Sequence, residues 1–286
     1  YTIILPSRRA GVFLKNEIKN YLKSQAILPK IISIEVFIEE LSNLTLIDNT
    51  TLIFEFYKIY KQQNSGNDID TFDSFSGWAS MLLNDFNEID RHLINPSYIF
   101  DYLKDIKRIE SLLEGKKETD LINKYLSFYK NLGSYYTSLY EHLKNKKLAY
   151  QGQQYREAFE NIHFFIDNIT NDSKFIFVGF NALNKTEENI FKLMLESGIA
   201  EVYWDIDLFF YDRNATNTTF IKKYLTEWNF YKNKPYTSFY NNFTSKKDIK
   251  IIGIPKNISQ TKYASEVLSN LKNTNNTLKN TALVLS

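Results

Sequence analysis

Two adjacent arginines lie between a short apolar strand and a helix near the start of the sequence. The stretch ILPSRRAGVFLKNEI covers residues 3–17, and Arg8 and Arg9 lie at its strand–loop–helix junction. Guanidinium groups beside a helix N-terminus suit phosphate oxygens, because the first backbone amides and the helix dipole favour negative charge. The chain has six Arg against 29 Lys, so an adjacent Arg pair is unusual. The stretch predicts contact with a phosphate backbone through Ser7, Arg8 and Arg9.

A structural role for the same arginines is the alternative, in which one of them pairs with a carboxylate such as Asp85 or Asp90. A nucleotide-binding role is not expected. The pattern G-x-x-x-x-G-K-[ST], which supplies the amides, Lys and hydroxyl that hold phosphates and magnesium, does not occur in the sequence. We therefore expect no ATP hydrolysis by this chain.

A second candidate for chemistry is the pair Asp205 and Asp207, at the end of the strand-like run AEVYWDI. Carboxylates at strand spacing project to one side and could bind a metal. However, a strand that enters a loop often ends in Asp for turn chemistry, and no third ligand can be named. We therefore expect no metal site, and an α/β enzyme that uses these acids is the weakest interpretation.

Other residue types that often carry chemistry favour structural roles. The three His residues have no H-E-x-x-H spacing, and Ser-His-Asp catalysis has no nucleophile elbow. Several aromatic residues could stack on nucleic-acid bases, but they recur at helical spacing, which favours a helical core. These aromatic residues are Phe72, Phe75, Trp78 and Phe86.

Composition is that of a packed globular chain. Its 286 residues are 43% hydrophobic and 16% aromatic, with nine Gly and five Pro, which argues against long disordered linkers. A net charge of +2 gives no strong overall field, so any basic surface must be local. The absence of Cys excludes a disulfide framework and a thiolate zinc site, and fits a reducing compartment. No apolar run could span a bilayer, and the strand-like runs at both ends suggest a fragment of a longer protein.

Alternating apolar runs and helices predict an α/β fold with a parallel sheet. We expect strands at 2–5, 30–33, 175–178 and 201–204, and helices at 10–24, 34–44 and 185–197. Residues 48–170 have a helical pattern almost throughout, which predicts a helical insertion into the sheet. Further strands are expected at 248–254 and 281–286, on either side of a helix at 259–271.

Six motifs, in order, resemble the N-terminal part of a known family. They are LPSRRAGVFLKNEI, LPKIISIEVFIEELSNL, FDSFSGWASMLLNDFNEIDRHLI, FIFVGFNALNKTEENIFKLML, EVYWDID and IIGIPKNISQTKYASEVLSNL. Together they are similar to the AddB-like family, the B subunits of AddAB-type helicase-nucleases, in a Bacteroidetes-like branch. The resemblance spans essentially the whole chain, although none of the motifs is a catalytic signature.

The resemblance implies a superfamily 1 helicase architecture that has lost ATPase motifs. Residues 1–47 and 171–246 would form a RecA-like domain 1A, residues 48–170 a helical domain 1B, and residues 247–286 the start of a second RecA-like domain. Full-length members carry a C-terminal PD-(D/E)XK nuclease, often with an Fe-S cluster, so the parent protein is expected to be an exonuclease. This chain ends before such a nuclease and needs no cofactor.

The resemblance also assigns roles to two loops. The opening stretch resembles motif Ia, which implies contact with single-stranded DNA through Ser7, Arg8 and Arg9, joined by Asn181 in the loop after Phe180. A helicase places its magnesium-binding Asp-Glu pair where this chain has Gly179 and Phe180. The nearby Thr186, Glu187 and Glu188 resemble the family's helix start, which has a structural role as a cap with acids in the first turn.

Two functions follow from the sequence. The first is a non-catalytic, helicase-like scaffold of a cytoplasmic DNA-repair complex, which binds single-stranded or end DNA and an AddA-like helicase subunit. The second is a protein-interaction module that keeps the fold but does not contact DNA. A basic groove past Arg8, Arg9 and the loop after Phe180 would favour the first function, and an exposed apolar face without such a groove would favour the second.

Overall fold

A computed structural model of the chain has a mixed α/β fold with one parallel sheet. The structure describes residues 1–22, 24, 26–64, 69–113, 120–170, 173–213, 215–275, 277–278 and 281–284. Side chains are described for the same residues except 107–113, 120–125 and 275. Residues Tyr1–Phe243 form one compact unit and Thr244–Ser286 a second.

Four short strands form the main sheet: β1 (Thr2–Leu5), β2 (Lys30–Ser33), β5 (Phe175–Val178) and β6 (Ala200–Tyr203). Their order is β2–β1–β5–β6, and every pairing is parallel. Ile4 lies opposite Ile32 on one side and Phe177 on the other. The prediction of one parallel sheet from these four segments is confirmed, although β6 begins and ends one residue earlier than predicted.

Two further strands were not predicted. They are β3 (Thr45–Leu46) and β4 (Leu148–Ala149), which pair in parallel. The amide of Thr45 donates to the carbonyl of Lys147 at 2.9 Å. The pair joins the two ends of the helical insertion.

Helices form most of the remaining structure. They are α1 (Arg8–Tyr21), α2 (Ile34–Ser42), α3 (Asn49–Gln63), α4 (Phe72–Arg91), α5 (Pro96–Leu113), α6 (Asp120–Asn145), α7 (Gln151–Asn168), α8 (Lys185–Glu196), α9 (Leu208–Asp212), α10 (Thr219–Glu227), α11 (Asn229–Asn233) and α12 (Asn257–Asn275). Side-chain caps define several N-termini, since Asp48 accepts from the amide of Thr51 at 3.0 Å and Ser7 accepts from that of Ala10 at 3.2 Å. None of the described helices combines the length and apolar character needed to cross a bilayer.

Two hydrophobic clusters form the core of residues 1–243. The sheet cluster packs α2, α7 and α8 against one face of the sheet, with Phe37, Phe177 and Phe191 buried among them. The insertion cluster packs α3, α4 and α6 together around Phe56 and Phe86. The aromatic residues considered as a base-stacking platform belong to this second cluster: Phe75 and Phe86 are buried in it, and Phe72 and Trp78 pack against it.

Helix α7 differs from the sequence expectation. Its helical pattern groups it with the insertion, yet Tyr155, Ala158 and Ile162 lie in the sheet cluster. The same helix contacts α4, where the amide of Gly152 donates to the side chain of Asn87 at 2.6 Å. Periodicity identifies the buried face of a helix but not the element that covers it, so the sequence alone could not assign α7.

In the second unit, the strand predicted at 248–254 is wrong, because these residues form neither helix nor strand. A strand is stable only when a partner satisfies its backbone groups, and the described part of this unit contains no partner strand. Residues 281–284 are likewise not in a strand, and 285–286 lie outside the described residues. The helix predicted at 259–271 is confirmed as α12.

Candidate nucleic-acid interface

The carboxyl ends of the four main strands meet at one edge of the sheet because all four are parallel. From β1 the chain crosses to β2 on one side, and after the insertion it returns to β5 on the other side of β1. Connections that leave in opposite directions open a crevice outside the strand ends, and ligands of open α/β sheets bind there. The crevice between β1 and β5 is therefore the candidate site.

The loops after β1 and β5 are in contact range at this crevice. Gly179 follows β5 with a φ of 78°, a conformation that favours glycine, and its amide donates to the carbonyl of Tyr203 at 3.0 Å. A Cβ on Gly179 would lie 4.0 Å from Cδ of Pro6. The next residue, Phe180, is buried with its ring 5.0 Å from that of Phe191. A buried aromatic ring therefore anchors the loop after β5.

The predicted contact residues lie on these two loops and in the first turn of α1. Ser7 is the N-cap of α1, and its hydroxyl accepts from the amide of Ala10, so the hydroxyl hydrogen can still donate to a ligand. Arg8 and Arg9 are the first two helical residues, and both are exposed. Asn181 is exposed after β5. The structure places these residues on neighbouring loops and in the first turn of α1, at one edge of the sheet.

The alternative partner Asp90 belongs to a different network. Its carboxylate is fully buried and accepts from Nε of Arg156 at 2.5 Å, from the hydroxyl of Tyr136 at 2.5 Å and from the hydroxyl of Tyr150. Burial raises the pKa of the Asp90 carboxyl, although these donors oppose the shift. The alternative prediction that Asp90 pairs with Arg8 or Arg9 is therefore wrong.

Asp85 does not replace Asp90 as that partner. It is exposed, and no ion pair joins it to either arginine in the described part of the chain. The arginines therefore do not fasten the helical insertion to the sheet.

The sequence did not single out Ser33, which ends β2 opposite Leu5 of β1. Ser33 is the N-cap of α2 and is 2% exposed, yet its hydroxyl has no hydrogen-bond partner among the described residues. An uncapped helix start keeps free backbone amides, which attract negative charge. A serine before a helix is so common that no sequence signal marks this one.

Acidic side chains limit how far the positive charge extends along the edge. Glu35 is exposed in the first turn of α2, after β2, and Asp205 is exposed after β6. Glu187, at the start of α8, is mostly buried, and that burial raises the pKa of its carboxyl. The exposed cations Arg8 and Arg9 lie at the start of α1, and the exposed Lys185 at the start of α8 pairs with Glu188 at 3.4 Å.

The helix start at 184–188 has a structural role, as expected, but the cap is Asn184 rather than Thr186. Asn184 and Glu187 form a reciprocal capping box. The hydroxyl of Thr186 instead donates to the carbonyl of Arg91 at 2.9 Å, which joins α8 to the end of α4.

Of the two carboxylates after β6, Asp207 is used for turn chemistry. Asp207 is the N-cap of α9 and accepts from the amide of Phe209 at 2.9 Å. Its other oxygen accepts from the amides of Asn242 and Phe243, at 2.7 and 2.9 Å. Across the described residues, no three His, Asp or Glu side chains are grouped so that they could hold a metal ion.

Two open grooves lie elsewhere in the first unit. One, of about 510 Å³, lies between α2 and α7 beside Phe164, and the other, of about 440 Å³, lies between α3, α4 and the start of α7. Neither is lined by Ser7, Arg8, Arg9 or Asn181. These two grooves are therefore separate from the candidate site.

The arrangement has groups that can bind an anion. Its functional groups are two guanidinium groups, a hydroxyl, a carboxamide and the free amides of a helix N-terminus. Such groups contact phosphate oxygens without reading a base. A scan against protein-family models and a search of curated proteins find no significant match to the chain.

Proposed function

We propose that this chain is a catalytically silent, helicase-like scaffold that holds single-stranded or end DNA for a DNA-repair helicase-nuclease. In this proposal it is the N-terminal part of an AddB-like subunit that works in the cytoplasm beside an AddA-like helicase subunit. The parallel sheet with its helical insertion would correspond to RecA-like domain 1A and domain 1B. The sequence resemblance supports this assignment, as does the order of sheet, insertion and sheet.

The observation that carries the proposal is the position of Arg8 and Arg9. Both are exposed, both lie in the first turn of a helix, and both are at the crevice between β1 and β5. Phosphate groups bind readily at such helix starts. Neither arginine has a carboxylate partner among the described residues, so their charge remains available to a ligand.

The double substitution Arg8→Ala and Arg9→Ala tests the proposal. We expect weaker binding of single-stranded DNA, by a similar factor for every sequence, because phosphate contacts carry no base information. Each lost contact lowers the slope of log affinity against log salt by about 0.7 for a single strand, so two contacts predict a decrease of about 1.4. Fluorescence anisotropy with labelled oligonucleotides at several salt concentrations measures both effects.

The matched control is Lys61→Gln with Lys223→Gln, which removes the same charge from exposed positions on α3 and α10. This control should keep the wild-type salt slope. Because Arg8 and Arg9 are exposed, their removal should leave the melting temperature almost unchanged. A destabilised arginine variant with the wild-type salt slope would reject the DNA-facing role.

A second candidate function is a protein-interaction module, and one observation favours it. Helix α1 packs on β1 and β2, as Gly11 beside Leu5 and Ile31 shows. On the same face of the sheet, Glu201 and Tyr203 of β6 are exposed, and Tyr203 is 40% exposed. Parallel sheets are usually covered on both faces, so a partner subunit could cover this area. If the wild-type chain does not bind DNA, that result would favour this second function.

A further inference from the structure

Helix α1 presents a basic, partly aromatic surface that no described element covers. None of its residues is fully buried, and Ala10, Gly11, Leu14 and Ile18 are the partly buried side chains that face the sheet. Along one flank of the exposed side, Arg8, Val12, Lys15 and Lys19 follow the spacing of one helical stripe. All four are exposed.

The charge on this helix is strongly one-sided. Residues 8–21 contain four cations, Arg8, Arg9, Lys15 and Lys19, and a single acid, Glu17. Glu17 accepts a hydrogen bond from Asn20 at 3.5 Å. The whole chain has a net charge of only +2, so this helix is a local concentration of positive charge.

An exposed aromatic ring lies on the other flank of the exposed side of α1, beside Arg9. Phe13 is 60% exposed, and the guanidinium carbon of Arg9 lies 5.8 Å from its ring centroid. A phenylalanine this exposed adds little to the core, and its ring can stack on a nucleic-acid base. Proteins that bind single strands without sequence preference combine such rings with cations that follow the backbone.

We propose that α1 extends the phosphate contacts of Arg8 and Arg9, with Lys15 and Lys19 bound to further phosphates on one flank of the helix and Phe13 stacked on an unpaired base on the other flank. From Arg8 to Lys19 the helix rises about 16 Å, which allows contact with several nucleotides of an extended strand. The acids Glu35 and Asp205 on either side of the crevice disfavour a path along the edge of the sheet. This inference rests on the proposed function, because it requires that Arg8 and Arg9 face DNA.

Two variants separate the roles of these side chains. Phe13→Ala should reduce affinity for a single-stranded oligonucleotide roughly five- to 150-fold, the range that stacking of one base covers, with the salt slope unchanged because no charge is lost. Lys15→Gln with Lys19→Gln should lower the salt slope by about 1.4. An abasic oligonucleotide of equal length is the matched ligand: the lysine variant should lose affinity for it, and Phe13→Ala should not.

The control for charge is again Lys61→Gln with Lys223→Gln, and melting temperatures of all variants should match the wild type. Suppose that the wild type binds DNA and that the double variant Arg8→Ala with Arg9→Ala binds it more weakly. If the Phe13 and lysine variants then bind DNA as tightly as the wild type does, the inference is wrong and the proposed function stands. If the wild type shows no salt-dependent binding of single strands, the proposed function fails first.

Discussion

Glu55 shows how charged residues of the insertion stabilise the fold. Its carboxylate lies 2.7 Å from Nζ of Lys58, 2.6 Å from Nζ of Lys146 and 2.6 Å from Nε2 of His142. These contacts, that of Lys146 first, lower the pKa of Glu55 from its ordinary value of 4.5 to about 2. Because His142 lies on α6 and Lys146 lies in the turn directly after it, Glu55 joins the end of that helix to α3.

We expect this carboxylate to make stability depend on acid. A carboxyl whose pKa is depressed in the folded state contributes stability that is fully present above its unfolded pKa, near 4.5, and is lost as the pH falls toward about 2. In urea unfolding curves from pH 6 to pH 3, the variant Glu55→Gln should be less stable at pH 6 and should lose less stability on acidification. Glu17→Gln, an exposed control, should follow the wild type. A Glu55 variant with the full acid sensitivity of the wild type would contradict this role.

At the level of single residues, the sequence identified the cations but not the ring beside them. Arg8 and Arg9 stood out because arginine is rare in this chain and because they follow a strand. Phe13 was not identified, since an apolar residue on an amphipathic helix is normally placed in the core. The structure exposes it because the sheet-facing positions of α1 are Ala10, Gly11, Leu14 and Ile18.

Among the secondary-structure elements, α7 connects the two hydrophobic clusters, and it depends on one glycine to do so. A Cβ on Gly152 would lie 2.2 Å from the backbone carbonyl oxygen of Asn87 in α4. Backbone atoms cannot move aside as a flexible side chain can, so α4 and α7 would have to separate. The glycine therefore sets the close approach of these two helices.

Gly152→Ala should consequently destabilise the protein by about 1–3 kcal/mol, the usual cost of overpacking. Gly77→Ala is the matched control on α4, where a Cβ has no neighbour within 4 Å. That change should be neutral or stabilising by up to about 1 kcal/mol, because alanine favours helix more than glycine does. Chemical denaturation of both variants measures the difference, and equal stability of the two would show that α4 and α7 pack less closely than described.

Secondary structure was predicted correctly where the local sequence pattern determines it. The prediction failed where a strand depends on pairing with a distant strand. The strands of the main sheet are short apolar runs between helices, so their positions follow from the sequence. Residues 248–254 have a similar pattern, yet they form no strand because the described part of their unit offers no pairing partner. The strands β3 and β4 were missed for the opposite reason: two residues are too few for a pattern, and each strand exists through its pairing with the other.

Within the whole of residues 1–243, we expect one cooperative unfolding transition because α7 packs against both clusters. The three tryptophans allow a test. Trp78 packs against the insertion cluster, and Trp204 and Trp228 are buried in the sheet cluster. Trp78→Phe leaves fluorescence from the sheet cluster alone, and Trp204→Phe with Trp228→Phe leaves fluorescence from the insertion alone. Each variant's fluorescence transition should coincide with its own circular dichroism transition; separate midpoints would show that the clusters unfold independently.

The pairing of β1 with β5 has a consequence for the rate of folding. Thr2 lies opposite Phe175, so more than half of the chain must be closed into a loop before these strands can meet. Such distant contacts slow folding, since the entropy of loop closure is lost before any pairing energy is gained. The helices of the insertion depend on nearer contacts, and the pairing of β3 with β4 holds the ends of that segment together. We therefore expect the insertion to form early, which shortens the loop that remains to be closed. Pairing of β1 with β5 is then the late, slow step of folding. Until it occurs, the unpaired backbone groups at the strand edges are exposed and can pair with other chains, which leads to aggregation.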